Sequence, residues 1–148
     1  MINFLTEVAF HFGAPDKLAY AVRLLRKAVG SGARVLVLAP PALLQQLDAA
    51  LWASAPTDFL PHCLIDAPEK LRSLSLVVLA DEGSLVKAPE LPVLVNLGAQ
   101  MPQGFEHHQR VIEVVSTDEE DRATARQRWK TYSARGLDIV RHDLQLRA

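Results

Sequence analysis

The chain is predicted to be an α/β domain of Rossmann-like type, with a mostly parallel or mixed sheet flanked by helices on both faces and no nucleotide-binding loop. Short apolar runs such as VLVL and VIEVV alternate with longer segments of helical period, which is the signature of βαβ units. The runs lack in/out alternation, as strands buried on both faces of a parallel sheet do. Gly and Pro fall between the segments, where turns belong.

The elements follow in order. Ile2 to Phe10 mixes β-branched, aromatic and polar residues, as a first strand would. Pro15 and Asp16 open a helix on which Leu18, Val22, Leu25 and Val29 make one apolar stripe, and Gly30 and Gly32 end it. Arg34 to Ala39 is the second strand. Pro40 and Pro41 start a helix carrying Leu43, Leu44, Leu47, Leu51 and Trp52, with Pro56 at its end. Asp66 to Ser73 and Glu82 to Glu90 read as loops. Further strands are expected at Leu74 to Ala80, Leu91 to Leu97 and Val111 to Val115. Thr117 and Glu120 have capping-box spacing for a last long helix, which Gly136 ends, and Asp138 to Asp143 reads as an edge strand.

Composition narrows the function. At 148 residues, 49% hydrophobic and 22% charged, the chain has the size and composition of one soluble globular domain spanning 1–148. A net charge of −1 argues against gripping nucleic acid as the main task, since phosphate neutralisation needs surplus Lys and Arg. That total is uneven: residues from Arg122 onward carry +5 and the first 121 carry −6, which points to one localised anionic partner. The lone Cys63 excludes an internal disulfide and fits a reducing cytoplasm. No apolar run is long enough for a membrane span, and the N-terminus reads as a strand instead of a signal peptide.

The expected functional element is the last helix. Arg122, Arg126 and Lys130 recur at i, i+4 and i+8, with Trp129 on the same face. Guanidinium forks grip carboxylates, and an indole beside them offers flat apolar area. The set suits an acidic peptide end with a bulky side chain, provided the indole and the cations stay open to water. The bland alternative is a solvated helix face whose late cations complement the helix dipole. A second candidate surface joins Trp52 to Phe59, Pro61 and His62, as an apolar interface or as a lid on the core.

Other chemistries find little footing. His62–Cys63 and His107–His108 are adjacent pairs whose side chains diverge, and no second pair stands at zinc spacing, so no metal or catalytic group is assigned. No Gly-rich phosphate loop occurs, and Pro40–Pro41 removes donors where a nucleotide-binding sheet needs them. No cofactor is expected. An enzyme binding a nucleotide or small molecule on a Rossmann-like sheet stays the alternative.

Several phrases together resemble the chi subunit family of bacterial DNA polymerase III. They are Phe10-His-Phe-Gly13 with LAYAVRLLRK, then LDAALW and FLPH, VLVNLG, RVIEVV, and ARQRWKTY followed by Gly136. The resemblance runs through nearly the whole chain and is weakest from Asp66 to Glu90. It implies a non-catalytic accessory subunit of the clamp-loader assembly that binds the acidic C-terminal tail of single-stranded-DNA-binding protein. It also implies a link to the psi subunit, or to a helicase, with DNA contacted only indirectly. By position, Arg126 and Lys130 would bind the tail, Trp129 would be its aromatic wall where relatives often have Tyr, and Arg122 would stand where Lys is common. Trp52 and Phe59 would face psi or a helicase, with Pro61 and His62 in the same patch.

Overall fold

The computed structural model describes residues 6–53, 60–88 and 90–144, apart from the side chains of 85–87. Its strands are β1 (Glu7–Ala14), β2 (Val35–Leu38), β3 (His62–Leu64), β4 (Val77–Ala80), β5 (Val93–Asn96), β6 (Arg110–Ser116) and β7 (Ile139–Asp143). The helices are α1 (Lys17–Gly30), α2 (Pro41–Ala53), α3 (Glu69–Leu74) and α4 (Glu119–Ala134). The strands form one seven-stranded sheet in the order β3-β4-β2-β5-β6-β1-β7. Every pairing in it is parallel.

Successive residues of the central strands feed opposite cores, because side chains alternate across a strand. Val35 and Val37 pack with Leu25, Leu47 and Leu51 under α1 and α2. Leu36 and Leu38 join Val8, Phe10, Ala125 and Tyr132 under α4. All four residues of β2, β4 and β5 are buried, which explains their uninterrupted apolar runs. On the α1 side the sheet outruns its helices. There a cavity of about 750 Å³ lies over β1, β6 and β7, with Ala9, His11, Val140 and His142 in its floor and Leu24 and Lys27 in its wall.

Some expectations change. The first strand runs from Glu7 to Ala14 instead of ending at Phe10, since Glu7 to His11 pairs with β6 and Val8 to Phe12 with β7. Residues 1–5 and Pro56 lie outside the described residues. The supposed loop from Asp66 contains α3, opened by Pro68 and Glu69, and Glu82–Lys87 forms a 3-10 helix. Strand β3 has three residues, too few for periodicity to show.

The helix caps move too. Asp16 caps α1 by accepting from the Ala19 amide at 3.0 Å, and Lys17 is the first helical residue. For α4 the cap is Asp118, not Thr117: it accepts from the Asp121 amide at 3.2 Å, while Asp121 accepts from the Ser116 amide at 2.8 Å. The shift brings Asp121 within 2.9 Å of Lys17 Nζ, tying the two helix starts together. Burial opposes ionisation of Asp121, but the Ser116 amide and Lys17 hold its carboxyl below the usual range.

Candidate functional site: the outer face of the last helix

Helix α4 is seated by a buried polar network. Its inward residues are Ala125, Arg128 and Tyr132. Arg128 Nε donates to Glu113 on β6 at 3.0 Å, and the Tyr132 hydroxyl donates to the same carboxylate at 2.7 Å. Asn96 Nδ2 on β5 donates to both carboxylate oxygens at 3.0 and 3.2 Å. Burial pushes the Glu113 carboxyl up, while Arg128 and the donors of Tyr132 and Asn96 oppose the rise. Since each neighbour named presents a donor, the set fits the carboxylate form. Burial, joined by the same carboxylate, pushes the Tyr132 phenol well up.

This seating turns Trp129 and its neighbouring cations outward. Trp129 is only partly buried, and it rests on Phe10 and Phe12, ring centroids 5.1 and 6.1 Å away. Phe10 and Phe12 face each other at 5.6 Å, so three rings make a continuous floor. Arg122, Arg126 and Lys130 are exposed beside it. The two arginines are not unencumbered, however. Arg122 stands 3.6 Å and Arg126 3.5 Å from the carboxylate of Glu119. All three side chains are more than half exposed, so solvent screens these pairs and an incoming anion can replace them at low cost.

The +5 of the last segment overstates its open charge. Arg128 is buried against Glu113 and Arg135 pairs with Glu106 at 3.4 Å, both acids from outside that segment, whereas the acid that Arg141 pairs with at 2.9 Å, Asp143, is already counted in the +5. Arg147 lies outside the described residues. What stays available on α4 is the triplet beside Trp129.

The second candidate surface is divided. Trp52 is 57% exposed at the end of α2 and packs on the His62 ring at 4.9 Å. His62, expected at the surface of this patch, is instead buried on β3: Nδ1 meets the Leu60 carbonyl at 2.7 Å, and Nε2 stands 3.2 Å from Asp48. Its ring supports Trp52 from below. Pro61 is partly buried and its carbonyl accepts from the amides of Leu76 and Val77; Phe59 lies outside the described residues. Leu71 and Leu74 of α3 are also exposed, on the second helix that packs against β3.

At the edge where the strand C-termini of such a sheet present a nucleotide, two helix starts are already capped by their own acids. Between β2 and β5, a Cβ on Gly98 would meet Asn96 Oδ1 at 3.4 Å and Pro40 Cδ at 3.9 Å. The Asp16 and Asp118 carboxylates take amides at the starts of α1 and α4, and α2 begins at Pro41, which has no N–H of its own. Among the described residues no group of three His, Cys, Asp or Glu could hold a metal. No helix among them is long and apolar enough to cross a membrane.

Arg122, Arg126, Trp129 and Lys130 thus share the outer face of α4. The sequence reading missed Phe10 and Phe12 as the floor, although their i, i+2 spacing already put them on one side of a strand. It also missed that Arg128, one residue from Trp129, points inward, because the acid that draws it there lies fifteen positions away on β6.

Comparison with known proteins separates fold from family. Many solved structures share the fold. The C-terminal domain of the DEAD-box protein Dbp5 superposes with a TM-score of 0.66 at 11% identity, over 97% of this chain and 92% of that one. A Dbp5 variant from S. cerevisiae, bound to Nup159, Gle1, IP6 and ADP, gives 0.58 at 12% identity, over 97% of this chain and 43% of that one. At such identities the likeness concerns the fold alone. No curated protein matches. The model of the DNA polymerase III chi subunit, HolC, matches residues 5–140, which takes in every strand and helix up to the start of the edge strand, and the chain belongs to that family.

Proposed function

We propose that this chain is a non-catalytic accessory subunit of the DNA polymerase III holoenzyme, acting in the cytoplasm within the clamp-loader complex. Its outer α4 face binds the acidic C-terminal tail of single-stranded-DNA-binding protein. The observation that carries this reading is the partly exposed Trp129 on its Phe10–Phe12 floor, flanked by Arg122, Arg126 and Lys130. A bulky terminal side chain would lie on the rings, and the acids beside it would displace Glu119 from the two guanidiniums.

The exposed Trp52, with Leu71 and Leu74 on the neighbouring helix, supports a second docking surface at the β3 edge, taken by psi or by a helicase. DNA is reached only through these partners. A few charge-assisted contacts and one filled apolar slot give an affinity on the order of micromolar, raised by several tails on one oligomeric partner.

The test titrates a fluorescent peptide ending in Asp-Asp-Ile-Pro-Phe against wild type, Arg126→Ala and Trp129→Ala. Binding should weaken roughly tenfold or more in each variant and fall with salt. Equal binding by all three proteins would refute the site. Pull-down with Trp52→Ala, which should lose the second partner and keep the peptide, tests the other surface.

A further inference from the structure

The ring floor does not end at α4. In the register of β1 with β7, Phe10 stands beside Arg141, which places both on the α4 face of the sheet. Ile139, two residues earlier, packs against the same core cluster as Trp129, whereas Val140 and His142 line the cavity on the opposite face. The Arg141 guanidinium carbon lies 4.4 Å from the centre of the Phe12 ring. Phe12 in turn meets Trp129. The floor is therefore flanked by cations on both sides: Arg122, Arg126 and Lys130 along the helix, and Arg141 on the edge strand.

Among the described residues β7 is the outermost strand of the sheet, so Arg141 stands at its rim. Its side chain is 56% exposed, and Nε donates to Asp143 at 2.9 and 3.0 Å. Arg141 is exposed and Asp143 partly buried near the end of β7, and solvent on the guanidinium weakens the pair. A guanidinium over an aromatic ring keeps its edge donors available to an anion.

We infer that Arg141 is a second anion-binding residue of the same site, so that a peptide end with two acids is held across the rings, one carboxylate on the α4 cations and the other on Arg141. This rests on the tail-binding reading above. Asp143 then acts as an internal stand-in, its carboxylate marking the place an incoming acid takes. Such a site prefers ligands whose acids flank a bulky side chain over ligands with a single charge.

The test measures binding of the same labelled peptide, and of a version with one Asp replaced by Asn, to wild type, Arg126→Ala, Arg141→Ala, Asp143→Asn and the Arg141→Ala/Asp143→Asn double variant. Thermal unfolding confirms that each variant is folded. Arg141→Ala should weaken the two-acid peptide about three- to tenfold and the one-acid peptide less. Asp143→Asn should tighten binding in the wild-type background and change nothing once Arg141 is absent. Wild-type affinity in Arg141→Ala, with Arg126→Ala weakened, overturns this inference and leaves the α4 site standing. No binding by wild type overturns both.

Discussion

Replacing Glu113 with Gln probes what holds the docking helix in its rotation. The carboxylate accepts from Arg128, Tyr132 and Asn96, with both partners of the Arg128 pair at most 2% exposed. Gln keeps the volume but removes the charge and turns an amide toward groups that already donate. Arg128 Nη2, buried and without a hydrogen-bond partner among the described residues, makes the loss worse, since among them the guanidinium keeps the Ala99 carbonyl and Thr124 hydroxyl as neutral acceptors. Breaking a buried pair by removing one member costs about 3–5 kcal/mol. In a domain of this size that lowers the melting temperature by on the order of 10 °C. Urea unfolding followed by tryptophan fluorescence is the assay, as Trp129 sits on the helix concerned. Arg128→Met should also destabilise strongly, and the double variant should cost less than the two singles together, by about 1–3 kcal/mol. A loss below about 1 kcal/mol for Glu113→Gln would refute the claim that this network seats α4.

Two further predictions use groups outside that network. Glu119 shares its carboxylate between Arg122 and Arg126, so Glu119→Gln should tighten the acidic peptide about two- to threefold at low salt, measured by the same titration; weaker binding would show that Glu119 positions the arginines instead of competing for them. Burial, then the charges of His142, Arg110 and Lys27, lower the His11 pKa from 6.5 to about 4. The folded state therefore refuses a proton that the unfolded chain accepts, so the contribution is complete above pH 6.5 and is lost as pH falls toward 4. Urea midpoints against pH should fall more steeply in this window for wild type than for His11→Gln; parallel curves would argue against the lowered pKa.

How much of this was legible beforehand differs by element. The parallel core was, because strands buried on both faces need residues like those of Val35–Leu38 and Val93–Asn96, and no tertiary information is required to see such a run. The long helices were, because α1 and α4 carry periodicity over several turns. The three residues of β3 and the six of α3 were not, since neither spans enough positions to show a period.

At the site, local spacing alone put Arg122, Arg126, Trp129 and Lys130 on one helix face, and composition placed the surplus of positive charge near them. Only the packed sheet decided which charges remain at the surface. Arg128 is drawn inward by an acid on β6, His62 is covered on β3, and Arg141 is set beside the rings by the pairing of β7 with β1. Spacing along one helix constrains neighbours within a turn or two, whereas burial of a charge depends on a partner brought near by a crossover, and strand register is settled by which face of the sheet must be dry.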